Sequence, residues 1–237
     1  MKKNIIIIIA AFALITMWTI VRTGVISASV KKVINNKPSA IAYQKTNAEN
    51  TLQPFKVLVI NTNDKANIHI LQDATYRMGV SPHLKNMVSL KYANSDSVNI
   101  SLVSESNTYA EIYLYMPSIE KVYINNIGKA KDNRFLEDIE IANFKQNKLR
   151  VFFSNTSSLI FSKIKVDELE IAGTLDDPSG SVNIKNSVMA KKLNLSIKGN
   201  GTVDIFSSAS EENNFKLSDS LKINAPTYVL QKAKIGL

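Results

Sequence analysis

"KKLNLSIKGNGTVDIFSS", residues 191–208, is apolar at every second position, breaks at Gly-Asn-Gly, and then resumes the same alternation. A period of two belongs to a strand with one buried face. The break admits two readings. In a hairpin both strands would lie side by side in one sheet; in a stacked repeat the break would be the corner of a coil. The flanking sequence favours the coil. "SVNIKNS" (181–187) and "TVDIFSS" (202–208) align without a gap, placing Val182 on Val203, Ile184 on Ile205 and Ser187 on Ser208. Upstream of each, "ELEIAGT" (168–174) and "KLNLSIKGNGT" (192–202) correspond at a slightly longer interval. A near-constant period of this size marks an array in which no single unit can bury its own apolar side.

The same signal extends upstream. "EDIEIANF" (137–144), "NKLRVFFSN" (147–155), "SSLIFSKI" (157–164) and "VDELEIAGT" (166–174) each read as a short strand. Before them come "FKVLVIN", "ANIHIL", "YRMGV", "VSLKYA", "SVNISLV", "AEIYLYM" and "KVYINN", rich in β-branched and aromatic residues and bounded by Asn, Asp, Ser, Gly or Pro. Such spacing leaves no room for crossover helices and excludes an α/β architecture. The expectation is an all-β body, a right-handed β-solenoid of the parallel β-helix kind. Successive coils would turn their apolar residues into shared ladders, with Gly and Asn at corners that require a positive φ. "KGNG" then reads as a corner. It is not a phosphate loop, because no helix follows it.

Charge is distributed unevenly. The chain of 237 residues carries a formal net charge of +9, yet residues 1–48 hold seven of the 29 basic residues and none of the 20 acidic ones. The body is therefore close to neutral, which argues against nucleic acid as a partner. There are no cysteines and only two histidines, His69 and His83, which removes thiolate chemistry and leaves little for an imidazole metal site. The basic residues of the arm flank the run "IIIIIAAFALITMWTIV", which starts at Ile5 and ends at Val21. The run is close to the lower limit for a bilayer-spanning helix and longer than the usual core of a signal peptide, and Trp18 suits an interfacial anchor. "SAS" at 27–29 offers a cleavage site as the alternative. The domain reading is a signal or anchor helix over 1–22, a basic polar linker over 23–54, and the solenoid over 55–237.

The opening "FKVLVINTNDKANIHILQD", the passage "EIYLYMPSIEKVYINNIG" and the units "LEIAGT" and "LNLSIKGNGTVDI" together resemble the auto-transporter adhesin, head GIN domain family of Bacteroidota cell-envelope proteins. The likeness covers residues 55–223, although "IAGT" and "LDDPSG" are less glycine-rich than the family's usual corners. What the resemblance implies is an exported β-solenoid, and it brings no catalytic residue with it.

No nucleophile elbow, Walker loop, His-Glu-x-x-His or dinucleotide fingerprint is present. Catalytic, cofactor and metal sites are accordingly expected to be absent. In "YAEIYLYMP", Ile112, Leu114 and Met116 share one face, while Tyr109, Tyr113 and Tyr115 share the other, and Tyr123 opens a nearby strand. These four tyrosines are the candidate contact surface for a glycan or a protein; the plainer alternative is packing against the first strands or the linker. "LDDPSG" and "LEDIE" pair carboxylates as a calcium site would, but also as a turn and a solubilising strand edge would. His69 has outward parity, and no carboxylate stands at ligand spacing from it. The functional expectation is a non-enzymatic envelope protein, membrane-anchored and facing the periplasm or exported after cleavage, that presents a rigid surface for adhesion or recognition. The alternatives are a polysaccharide-lyase-like enzyme and a regulatory envelope component whose basic arm binds anionic lipid.

Overall fold

The computed structural model describes residues 48–62, 66–81, 87–102, 110–126, 138–154, 156, 158–206 and 210–236. All of them belong to the second of the chain's two units, Asn47–Leu237. The apolar run and its expected helix lie outside the described residues. Among the described residues no helix is long and apolar enough to cross a membrane.

Strands dominate. In chain order they are β1 (Ala48–Thr51), β2 (Val57–Thr62), β3 (Ala66–Gln72), β4 (Arg77–Val80), β5 (Val88–Asn94), β6 (Ser97–Leu102), β7 (Ala110–Met116), β8 (Lys121–Asn126) and β9 (Asp138–Ala142). There follow β10 (Lys145–Ser154), β11 (Ser158–Ser162), β12 (Lys165–Leu175), β13 (Ser181–Ile184), β14 (Met189–Gly199), β15 (Thr202–Ile205), β16 (Glu212–Leu217), β17 (Lys222–Asn224) and β18 (Ala233–Gly236). Among the described residues one short helix, α1 (Thr227–Gln231), buries Val229 between the last two strands. β1 falls inside the stretch read as linker, and β16 to β18 carry too little alternation to be seen in the sequence.

The strands form two nine-stranded sheets. The first has the order β1-β4-β7-β3-β9-β11-β13-β15-β17, the second β18-β16-β14-β12-β10-β8-β2-β6-β5. The opening stretch is thereby resolved: β14 lies in the second sheet and β15 in the first, so Gly-Asn-Gly joins two sheets and no hairpin forms. From β9 onward the chain alternates between sheets, and each strand pairs in parallel with the strand two along. In the first sheet Asp138 pairs with Ser158, Ser158 with Ser181, Ser181 with Thr202, and Thr202 with Lys222. In the second, Lys145 pairs with Lys165, Lys165 with Met189, Asn194 with Asn214, and Asn214 with Lys234. The step along the chain is nearly constant, and it is longest in the two pairings that enclose the Asp-Asp-Pro-Ser-Gly turn. Val182 pairs with Val203, Ile184 with Ile205, and Leu169 with Leu193, as the repeat alignment requires.

Burial explains the register. One inward column of the second sheet runs Val98, Leu58, Val122, Val151, Ile171, Leu195, Phe215, every member at most 1% exposed. A column of the first sheet, Ile112, Ile68, Ile139, Leu159, Val182, Val203, faces it within one continuous core. Shifting any strand by one residue would turn its apolar set outward, so each coil fixes the next. The leucine column Leu149, Leu169, Leu193 ends on buried Asn213, which accepts from the Ser210 hydroxyl and donates to the Val229 carbonyl at 3.4 Å. A polar side chain so bonded closes an apolar ladder without leaving a group unsatisfied.

Corners and close approaches divide the glycines. Gly199 has φ +111°, and a Cβ there would collide with the Leu175 carbonyl oxygen. Gly173, expected at a corner, instead lies within β12, where the Phe153 ring covers it and leaves no space for a side chain. The corners after β9 and β11 use Asn143 and Lys163, both at positive φ.

The first half is threaded out of chain order. β2 lies between β6 and β8, and β3 between β7 and β9, so the first coil laid down is enclosed by two later ones. β1, β4 and β5 pair antiparallel and form one end. This differs from a simple succession of coils, and the reason is visible in the spacing. Val57 pairs with both Ser97 and Lys121, and Ile68 with both Ile112 and Ile139, so the partners share no common step and no period exists to read. The short passage from β7 to β8 is stitched by two glutamines. Gln72 Nε2 donates to the Pro117 carbonyl at 2.6 Å, and Gln146 both accepts from the Ile119 N–H and donates to its carbonyl.

Candidate functional site

Because each outward side chain sits beside its counterpart on the next coil, the outer faces are built from columns as regular as the core. On the first sheet one column reads Tyr113, His69, Glu140, Ile160, Asn183, Asp204. The imidazole of His69 stacks on the Tyr113 ring at 4.6 Å with 11° between planes. Its Nδ1 donates to Glu140 Oε2 at 3.1 Å, while Ser162 Oγ donates to Glu140 Oε1 at 2.8 Å. The His69 hydrogen bond is the largest influence holding the Glu140 carboxyl below its ordinary value, with Ser162 and nearby Lys163 adding to it against the cost of burial. A carboxylate ionised at neutral pH in turn places the imidazole proton on Nδ1.

Beside this column Tyr115 is 7% exposed, with the Arg77 guanidinium 4.1 Å above its ring. Arg77 Nη2 donates to Asp73 Oδ2 at 2.5 Å and holds that carboxyl below its ordinary value. Tyr113 and Tyr115 themselves stack at 6.4 Å. The result is a strip of interlocked charged and aromatic side chains on β4, β7, β3 and β9.

The second sheet carries a different face. One outward column alternates in sign, Lys148, Glu168, Lys192, Glu212, and the next runs Arg150, Glu170, Asn194, Asn214, Lys234. Lys148 pairs with Glu168 at 2.6 Å and Arg150 with Glu170 at 3.4 Å. Asn194 Nδ2 donates to Glu168 Oε1 at 3.1 Å, and Asn214 Nδ2 to Asn194 Oδ1 at 2.9 Å. Beyond these lies the column Val59, Tyr123, Phe152, Ala172, Ser196, Lys216, in which the Tyr123 and Phe152 rings stack at 5.0 Å. An open depression of about 670 Å³ is lined by Glu168, Glu170, Asn194, Ser196, Asn214 and Lys216 among others.

The three candidate tyrosines among the described residues are divided between the two sheets. Tyr113 and Tyr115 share the first sheet, Tyr123 lies on the second, and Tyr109 is outside the described residues. Tyr113 stacks on His69 of β3, and Tyr115 lies under Arg77 of β4. His69 does have a carboxylate partner, Glu140, brought to it from a distant part of the chain by strand pairing, which no local spacing reveals. His83 lies outside the described residues. Arg77 and Phe152 carry no local signal for the same reason, whereas aligning the repeats brings Lys148, Glu168, Lys192 and Glu212 into one file.

The acidic pairs resolve as local structure. Asp177 Oδ1 accepts the Ser179 hydroxyl at 2.7 Å and the Ser179 N–H at 2.8 Å, a turn that pulls its carboxyl below the ordinary value. Glu137 lies outside the described residues, and the Glu140 carboxylate accepts from His69 and Ser162. Among the described residues no three His, Asp or Glu side chains come together as a metal site would need.

No protein-family model matches the chain, and no curated protein matches it by sequence. Solved structures do resemble it. A "putative adhesin" of Bacteroides fragilis is 12% identical with a TM-score of 0.48, over 80% of this chain and 91% of that one. Those of Parabacteroides distasonis and Parabacteroides merdae are also 12% identical, with TM-scores of 0.41 and 0.37. The matches cover 81% and 80% of this chain and 91% and 94% of theirs. At such identities and scores these likenesses carry neither a site nor a ligand across.

Proposed function

We propose that the chain is a non-enzymatic protein of the cell envelope that recognises a glycan or protein through the outer faces of its two sheets. The observation that carries this reading is the coil-to-coil bonding of outward side chains. His69, Glu140, Tyr113 and Arg77 on one sheet, and Glu168, Asn194 and Asn214 on the other, are held before any partner arrives. Such preorganisation reduces the ordering cost of binding, which suits recognition by a rigid surface. The apolar run from Ile5 to Val21 and the basic residues beside it fit a membrane anchor with the body facing the periplasm. A right-handed winding is the hand taken by nearly all parallel crossovers. The motifs quoted above suit a divergent head GIN domain. Lyase chemistry is the weaker reading, since Lys148 and Arg150 are each engaged by a carboxylate and a catalytic base would first have to be released.

The test uses the full-length protein in detergent micelles, applied to arrays of glycans and of surface proteins. Saturable retention with unchanged ligand is expected. Shortened polymers or unsaturated sugar ends in the wash would transfer the reading to a lyase, and lack of retention on every ligand class would end it.

A further inference from the structure

We propose that the second sheet holds a sugar-binding seat, with one pyranose ring of a glycan standing against Phe152 and its neighbour reaching the polar depression beside Ser196. The proposal rests on the recognition reading above and assigns a place and a ligand chemistry to it.

Columns of a parallel sheet repeat at about 4.8 Å, so a ring in such a column is normally covered on both faces by its neighbours. Phe152 has an aromatic neighbour on one face. Tyr123 stacks there at 5.0 Å with 18° between planes. On the other side the next two positions are Ala172 and Ser196, before Lys216 restores a long side chain. A methyl and a hydroxymethyl group cannot match the height of a phenyl ring. The aromatic face therefore looks across a floor of small residues for two strand spacings, about 10 Å. Phe152 and Ala172 are half-buried and Ser196 is exposed, so the slot opens to solvent.

The walls have the chemistry of a glycan site. An aromatic face attracts the slightly positive C–H edges of a pyranose, as it does the edge of another ring. Glu170, Asn194 and Asn214 stand in the adjacent column, and Ser196 is shared between slot and depression. Asn194 and Asn214 are oriented by the Glu168–Asn194–Asn214 chain of hydrogen bonds, and Glu170 is paired with Arg150. Among the described residues this chain leaves Asn214 Oδ1 and one N–H of Asn194 for the vicinal hydroxyls of a sugar. A lipid tail would strand these polar groups, and an extended peptide would find no open edge here because β10, β12 and β14 are each paired on both sides.

The experiment compares full-length wild type, Phe152→Ala, Ala172→Leu and Ser179→Ala in detergent on an array of gluco-, manno- and galacto-oligosaccharides and their uronic counterparts. Circular dichroism and urea midpoints serve as the check on folding. Wild type should bind at least one of these oligosaccharides. Phe152→Ala should weaken retention about tenfold through loss of the aromatic contact. Ala172→Leu, which removes no group and fills the seat, should abolish retention, and Ser179→Ala, in the turn after β12 and outside both outer faces, should leave it unchanged. Equal binding by wild type, Phe152→Ala and Ala172→Leu would overturn the seat while leaving glycan recognition standing. Absence of sugar binding with retention on protein arrays would overturn the seat and direct the general reading to a protein partner.

Discussion

Glu140 shows how much of this surface is decided by single side chains acting across coils. Its carboxylate accepts from His69 and Ser162, which belong to the strands on either side of its own. Because its folded pKa is depressed below the ordinary 4.5, the group contributes stability above that pH and loses it as pH falls through the folded value. Wild type should therefore exceed Glu140→Gln in stability at pH 7, and the difference should shrink as the buffer is made more acidic than pH 4.5. Urea midpoints across that range measure it; a gap that stays constant would mean that the carboxylate's charge contributes nothing. His69 itself was legible only as outward-facing. Its parity follows from the alternation in "NIHIL", whereas its partner depends on which strand pairs with β3.

Among the elements, the corner after β14 carries more of the fold than its composition suggests. Gly199 combines a positive φ with an approach to the Leu175 carbonyl that excludes any Cβ. Gly199→Ala should cost about 1–3 kcal/mol from backbone strain alone. The steric overlap adds to that, because the obstacle is backbone and cannot swing aside. The measurement is again a denaturant midpoint, with Asn200→Ala beside it as a control that keeps the glycine; equal losses in both would refute the argument. Corners at Asn143 and Lys163 reach positive φ without glycine, which shows that position in the coil sets the conformation and the residue type only sets its cost. For that reason the sequence disclosed the Gly-Asn-Gly corner and hid the one at Lys163.

Taken over the full stack, stability is a sum over neighbouring coils, and the threading sets which coils have two neighbours. β2 and β3 are flanked on both sides by parallel partners, although they are near the start of the described residues. β17 and β18 each have one neighbour within the sheets. Native-state amide exchange on the full chain should therefore find β2 and β3 among the last to open and residues 222–236 among the first. Early exchange in β2 and β3 would contradict the enclosed position of the first coil.

The order of residues was enough to set most of the strands, their buried faces and the stacked winding from β9 to β15. Each of those follows from a period written along the chain: two for the pleat, and the nearly constant coil length for the stack. Folding in three dimensions was needed for the enclosed first coil, the separation of Tyr113 and Tyr115 from Tyr123, and the pairing of His69 with Glu140. Those depend on partners such as Val57 with Ser97 and Ile68 with Ile139, which no periodicity links and which many other pairings could replace while burying the same apolar faces. Only the packing of the completed core distinguishes among them.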